Sequence, residues 1–246
     1  MCGRYAQTKS GDDLARELHA GIGEGFKERV SFNIAPTTDV PILLDRPAEG
    51  GAVRELHTAL WGLLPIWAKD KAQSARAFNA RSETVADKPT FRSAVRSKRC
   101  AVPVSAYYEW WVEEPGAQKR PHAVARGDGG THLFAGLYEW WRPKDAPDDD
   151  PWVLSCTILT GPSPDHGHDG VLGELAGLHD RMPLPLSPEA LDDWLAPEKL
   201  EKPDAETLVG RVRSEALAVA ADWRIWEVSR AVGNVRNQRP ELLEPV

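Results

Sequence analysis

Strand-like stretches outnumber helical ones, turns of the hairpin kind join most of them, and no βαβ alternation or glycine-rich phosphate loop interrupts the pattern. These observations predict an α+β fold built on a mainly antiparallel, barrel-like sheet with interspersed helices. No linker is long enough to divide the 246 residues, so residues 1–246 are expected to form one domain.

The elements follow in order. Cys2 to Gln7 reads as a short strand, which would anchor the terminus instead of letting it fray. Ser10 to Ala20 reads as a helix, with Leu14 and Leu18 four apart and Asp12-Asp13 in the first turn. Ser31 to Pro36 is extended and stopped by proline. Val40 to Asp45 and Ala52 to Leu64 form a hairpin around a turn at Pro47 to Gly51. Trp61 to Asp70 fits neither period and reads as strand end plus structured loop. Ser82 is placed to cap a short helix, and Pro89 to Lys98 is expected to be a second, with Phe91 and Val95 on one face.

Cys100 to Ser105, Tyr107 to Val112, His122 to Arg126, His132 to Trp141 and Trp152 to Thr160 are expected strands. Asp145 to Asp150 and Gly161 to Gly170 read as loops, and Leu172 to Leu178 as a short helical or extended approach to His179. Ser187 to Leu195 carries strong helix signals: serine at the cap, then proline, then glutamate. Glu206 to Val212 is a further helix, Ile225 to Val228 a strand, and the tail from Asn234 irregular.

Composition narrows the class. Three scattered cysteines, Cys2, Cys100 and Cys156, argue against a disulfide framework and for a reducing compartment. No cysteine or histidine spacing suggests a metal site, and no cofactor motif is present. The sequence shows no signal peptide or membrane-length apolar run, so a cytoplasmic, monomeric protein without a membrane partner is expected. The net charge of −7 does not suggest nucleic-acid binding. Its distribution does: from Lys69 to Arg99 nine Lys/Arg face only three acids. Ten tryptophans include the adjacent pairs Trp110-Trp111 and Trp140-Trp141. Neighbours on a strand point to opposite faces, so one of each pair can remain available for stacking on a base.

Met1-Cys2-Gly3-Arg4 places a cysteine where removal of the initiator would make it the N-terminus. That residue would carry a free α-amine, of reference pKa about 7.7–8.0, and a thiol of about 8.5. Such an aminothiol can condense with an aldehyde to an imine and close to a thiazolidine. The Arg4 guanidinium nearby is expected to favour the thiolate. Asn79 and Arg81 are two apart, so extended backbone turns them the same way: an amide to orient a reacting group, a guanidinium to hold a phosphate. Glu109 lies among aromatics in Ser105 to Trp111, where a carboxyl suits general acid or base work. Tyr138-Glu-Trp-Trp141 repeats Tyr108-Glu-Trp-Trp111, and residue chemistry alone leaves Glu109 and Glu139 equal. His179, beside Asp180-Arg181, has a side chain suited to proton transfer near neutrality.

Taken together, Met-Cys-Gly-Arg-Tyr at 1–5, Asn-Ile-Ala-Pro at 33–36, Trp61 to Lys69, Asn-Ala-Arg-Ser-Glu-Thr at 79–84, Tyr-Tyr-Glu-Trp at 107–110, His-Asp-Arg-Met-Pro at 179–183 and Val228 to Asn237 resemble the SRAP family of SOS-response-associated peptidases and abasic-site processing proteins. The resemblance runs nearly end to end. It implies an enzyme that senses abasic sites in single-stranded DNA and crosslinks to them through Cys2 after loss of Met1, with a possible lyase activity. By position it implies catalytic roles for Cys2, Asn79, Glu109 and His179, and so favours Glu109 over Glu139. It implies phosphate contacts for Arg4 and Arg81, and a DNA channel lined by Pro36, Trp67, Trp110 and Thr160. Where the family often carries Arg or Tyr before Asn-Ile-Ala-Pro, this chain has Ser31-Phe32. Two other classes compete: a thiol peptidase with an N-terminal nucleophile, built from Cys2, His179 and Glu109, and a non-covalent single-strand binding module.

Overall fold

The computed structural model describes all residues except 1, 113 and 115, so the expected loss of Met1 concerns a residue outside that set. In chain order the elements are β1 (Tyr5–Gln7), α1 (Gly11–Glu17), β2 (Gly21–Ile22), β3 (Ser31–Ile34), β4 (Asp39–Ala48), β5 (Gly51–Trp61), β6 (Asn79–Arg81), α2 (Ala94–Ser97), β7 (Arg99–Val104), β8 (Ala106–Trp111) and β9 (Arg120–Arg126). They continue as β10 (His132–Trp141), β11 (Val153–Pro162), α3 (Gly170–Leu178), β12 (Arg181–Pro183), α4 (Pro188–Leu195), α5 (Lys202–Ala220) and β13 (Trp223–Glu227).

The expected α+β class holds. The strands form two sheets, one in the order β13-β9-β8-β1-β3 and the other β12-β11-β10-β7-β4-β5-β2. Most pairings are antiparallel; β11 with β5, β11 with β6 and β2 with β5 are parallel. The barrel-like expectation is met in part. Ser155 opposite Leu60 and Cys156 opposite Trp61 join β11 to β5 and close the ring β5-β4-β7-β10-β11, whereas the five-stranded sheet stays open.

Local chemistry explains most elements. Ser10 caps α1 by accepting from the Asp13 N–H, with Asp12 and Asp13 against the positive end of the helix dipole. Ser187 does the same for α4, accepting from Ala190 N at 3.0 Å ahead of Pro188. β4 and β5 pair from Asp39 opposite Leu60 to Ala48 opposite Gly51, and Gly50 at φ 89° makes the turn. Three expectations need correction. Ser82 starts no helix: its hydroxyl donates to Glu83 Oε2 at 3.3 Å instead of capping, its N–H extends the β6–β11 pairing to the Thr160 carbonyl, and only turns follow. The Pro89–Lys98 helix shrinks to Ala94–Ser97, preceded by separate turns. The Glu206–Val212 helix is longer, Lys202–Ala220, because its buried stripe of Ala205, Val209, Val212, Ala216 and Ala220 is rich in alanine and weakly marked in sequence.

Trp61, Tyr5, Phe134 and Trp194 anchor the main core. A smaller core of Ala6, Tyr108, Ala123, Val228, Val232 and Leu242 lies in a separate cluster with Trp110 at its margin. Alternation along β8 produces this division: Tyr107 joins the main core and Tyr108 the smaller one. The basic stretch from Lys69 to Arg99 is not one solvated face. Arg99 is buried and donates to the carbonyls of Trp194, Val95, Arg96, Ala196 and Glu198, Arg96 pairs with Glu201, and Lys98 pairs with Glu139. These three cations hold the fold together, whereas Lys69, Lys71, Arg76, Arg81, Lys88 and Arg92 form no ion pair among the described residues. Among the described residues no helix is long and apolar enough to cross a membrane.

Candidate active site

Cys2 lies at the meeting point of the two sheets and is completely buried. Its carbonyl oxygen accepts from Asn79 Nδ2 at 2.7 Å. Burial pushes the Cys2 thiol well above its ordinary pKa, and the Glu109 charge pushes the same way; the Arg4 backbone N–H opposes them weakly. The expectation that the Arg4 guanidinium favours a thiolate is therefore corrected. That guanidinium turns elsewhere: Nη1 donates to Asn33 Oδ1 at 2.9 Å and to the Val232 carbonyl at 2.8 Å. Its carbon lies 5.8 Å from the Trp110 ring centroid.

Asn79 owes its place to the barrel. β6 runs parallel to β11, with Asn79 opposite Ile158 and Arg81 opposite Thr160. The Trp61 indole N–H donates to the Phe78 carbonyl at 2.9 Å and its ring meets Phe78 edge-on at 5.9 Å. As predicted for extended backbone, Ala80 points into the core between Asn79 and Arg81. Asn79 Oδ1 is buried and has no hydrogen-bond partner among the described residues.

Two clefts flank this point. One, of about 600 Å³, is lined by Asn79, Trp67, Arg76 and Phe91 among others. The other, of about 560 Å³, is lined by Glu109, Trp110, Val112, Lys119 and Gly177 to His179. Asn79 and Glu109 thus line different clefts. Trp67 is 56% exposed on the first cleft. Arg4, Pro36, Arg81 and Thr160 line neither. Arg81 is exposed, and Pro36 is half-buried in a turn where Thr37 adopts φ 67° and its N–H donates to the Trp61 carbonyl.

The twin tetrapeptides have the same local form and different surroundings. Glu109 Oε1 accepts from the Trp110 N–H at 3.2 Å, and Glu139 Oε1 from the Trp140 N–H at 3.0 Å. Glu139 is neutralised by Lys98, while Glu109 acts electrostatically on Cys2. The surroundings of the two carboxylates therefore differ.

His179 follows α3 and lines the Glu109 cleft. Its Nδ1 accepts from the Arg181 N–H at 3.0 Å and lies 2.5 Å from Asp180 Oδ1. The first contact needs Nδ1 bare and the second needs a proton on it, so the two select different tautomers of the ring. Arg181 itself donates through Nη1 and Nη2 to Glu83 at 2.8 and 2.9 Å, and to the Thr160 carbonyl at 2.8 Å. That guanidinium holds the Glu83 carboxyl well below its usual range, at about 2. Thr160 is fully buried, so its hydroxyl serves Arg181 and not an open channel. Sequence reasoning singled out neither Glu83 nor Arg181 nor Asn33. Glu83 and Arg181 both lie inside quoted motifs, but a pairing across 98 residues leaves no local signal. Among the described residues no cluster of His, Cys, Asp or Glu could hold a metal ion.

Comparison with known proteins identifies the family. Residues 1–235 match the family model described as SOS response associated peptidase (SRAP). The chain is 31% identical over 246 residues to the abasic site processing protein YoqW of Bacillus subtilis (strain 168), covering 99% of each chain. It is 32% identical over 254 residues to the abasic site processing protein YedK of Escherichia coli (strain K12), covering 100% of each. A solved structure of a protein from Bacteroides thetaiotaomicron, 20% identical, superposes with a TM-score of 0.75 over 100% of both chains and shares the fold. The chain belongs to the SRAP family.

Proposed function

We propose that the protein processes abasic sites in single-stranded DNA by forming a covalent crosslink through Cys2. Its relatives named abasic site processing proteins support the substrate. The observation that carries the chemistry is the bond from Asn79 Nδ2 to the Cys2 carbonyl, with Glu109 acting on the same residue. Loss of Met1 would free the Cys2 amine at this point.

The ring-opened deoxyribose presents an aldehyde at C1′. The Cys2 amine adds to it, and loss of water gives an imine. The thiol then adds across the C=N bond: the S–C1′ bond forms and the thiol proton passes to nitrogen, closing the thiazolidine. Asn79 Oδ1, buried and open to a partner, is placed to accept from the sugar hydroxyl. His179 and Glu109 face one cleft and supply the proton traffic for ring opening and dehydration. If closure is slow, a base removes a 2′ proton, the C3′–O bond breaks, phosphate leaves, and the strand is cut. Trp110 and Trp67 offer stacking surfaces for neighbouring bases. The raised thiol pKa favours amine-first chemistry over a thiol peptidase, whose nucleophile must be a thiolate.

The test uses single-stranded DNA with one abasic site. A denaturation-resistant adduct is expected, and Cys2→Ala abolishes it. An adduct of undiminished yield with Cys2→Ala would overturn the proposal.

A further inference from the structure

The segment from Ser229 to Pro240 contains Arg230, Arg236 and Arg239 and no acid, in a chain of net charge −7. All three arginines are exposed, and among the described residues none of them forms an ion pair. Two acids flank the segment: Glu241 lines a cavity with Arg239, and Glu227, ion-paired with Arg120, lies within electrostatic reach of Arg230.

This segment is tightly built. Ser229 caps the 3-10 turn Arg230–Gly233 by accepting from the Ala231 N–H. Asn234 Oδ1 accepts from the Arg236 N–H at 3.1 Å, and Asn237 Nδ2 donates to the Ala231 carbonyl at 2.7 Å. Asn33, on β3, straps the whole turn down: its Nδ2 lies 3.1, 3.0 and 3.1 Å from the carbonyls of Val232, Asn234 and Asn237. Gln238 Nε2 returns a bond to the Asn33 carbonyl at 3.0 Å.

The same strap reaches the candidate active site. Arg4 Nη1 bonds both Asn33 Oδ1 and the Val232 carbonyl, and its guanidinium lies against Trp110, which lines the cleft of Glu109 and His179. Cleft, Trp110, Arg4 and the arginine loop are therefore consecutive neighbours. Between the arginines, Val235 is 45% exposed and offers an apolar contact to a sugar or base edge.

We infer that the loop carrying Arg230, Arg236 and Arg239 is a second DNA subsite, along which the phosphodiester backbone of the strand held at Cys2 leaves the protein on one side. The inference rests on the reading of single-stranded DNA as substrate. Phosphates meeting unpaired guanidiniums on an ordered loop release counterions without first breaking internal salt bridges.

The test measures binding, not crosslinking. Labelled single strands contain one tetrahydrofuran abasic analogue, which has no aldehyde, and are extended stepwise on either the 5′ or the 3′ side. Three contacts at about 0.7 counterions each give a salt slope about 2 units shallower for the triple variant R230Q/R236Q/R239Q. Between 50 and 200 mM salt, wild type then loses about 20-fold more affinity than the variant on long oligomers. The deficit of the variant grows with length on one side only. Equal slopes for wild type and variant at every length overturn the inference. Thermal unfolding of the variant confirms that the loop is intact. The Cys2→Ala crosslinking assay reports separately: its failure with a persisting loop slope removes the covalent chemistry alone, and its success with equal slopes removes the loop alone.

Discussion

Asn79 Nδ2 donates to the Cys2 carbonyl oxygen at 2.7 Å, across 77 residues of sequence. The bond fixes the backbone of the residue whose amine is proposed to react, while the Asn79 Oδ1 remains free for the sugar. Asn79→Ala removes a bond of about 1 kcal/mol and with it about five- to tenfold in rate. Asn79→Asp is expected to be worse, since a carboxylate oxygen would face the carbonyl oxygen. Single-turnover crosslinking at saturating DNA measures both, and rates equal to wild type would remove Asn79 from the machinery.

The twin carboxylates make a second, paired prediction. Glu109→Gln is expected to leave the fold intact and to slow crosslinking at least a hundredfold, the range for loss of a general acid–base group. Glu139→Gln is expected to do the reverse. It removes the carboxylate that pairs with Lys98, so the midpoint of thermal unfolding falls while crosslinking at saturating DNA persists. Comparable crosslinking loss in both variants would contradict the distinction drawn from Lys98.

Much of the fold was legible because its signals are local. The β4–β5 hairpin announces itself by an apolar run, Val40 to Leu44, and a turn at glycine, and α4 opens with a serine cap and proline. The extent of α5 was not, because a stripe of alanines contrasts little with its polar face. In the candidate site, Cys2, Asn79, Glu109 and His179 were readable from residue type together with ordered motifs; the structure bonds Asn79 to Cys2, sets Glu109 within electrostatic reach of it, and lines one cleft with Glu109 and His179. Glu83, Arg181 and Asn33 act through bonds spanning 98 and 199 residues, for which one sequence holds no local trace. Family motifs chose Glu109 over Glu139; the pairing of Glu139 with Lys98, which the packing of β7 and β10 brings near, likewise left no local trace.

The Glu83–Arg181 pair predicts a pH dependence of stability. Arg181 lowers the Glu83 pKa to about 2 in the folded protein, from an ordinary value of 4.5. The folded value is depressed, so the contribution is fully present above about pH 4.5 and is lost as pH falls towards 2. The pair is partly exposed, with side chains 12% and 35% accessible. Solvent screening therefore limits it to about 1 kcal/mol, or roughly 2–4 °C in a chain of this size. Glu83→Gln should unfold at a lower temperature than wild type at pH 7, and the gap should close between pH 4.5 and 2. A gap constant over that window would show that the charge is not what matters.

Gly62 supplies a prediction about the Trp67 side. It adopts φ 142°, and a Cβ there would lie 2.4 Å from the Ser74 carbonyl oxygen. Ser74 belongs to the 3-10 turn Lys71–Arg76, which lines the cleft of Trp67 and Asn79. Gly62→Ala therefore combines backbone strain with a clash against main chain, and about 1–3 kcal/mol of destabilisation is expected. The turn must move, so the fluorescence of the exposed Trp67 should change as well. Wild-type stability in this variant would contradict the described packing of Gly62 on Ser74.

The order of chemistry at Cys2 can be separated by one substitution. Burial keeps the thiol protonated, so the amine is expected to attack first and the thiol to act only in closure. Cys2→Ser retains an α-amine after loss of Met1 but has a much weaker closing nucleophile. This variant should form an imine that borohydride traps as a stable secondary amine. Without reductant its adduct should not survive denaturation, and strand cleavage by β-elimination should rise, because the imine now persists. Imine formation needs the free amine, with a reference pKa of about 7.7–8.0, so trapping should strengthen from pH 6 to 8. A denaturation-resistant adduct of wild-type yield from Cys2→Ser without borohydride would show that closure does not depend on sulfur. Absence of any trappable imine in a folded protein of the expected mass would show instead that the amine is not the attacking group.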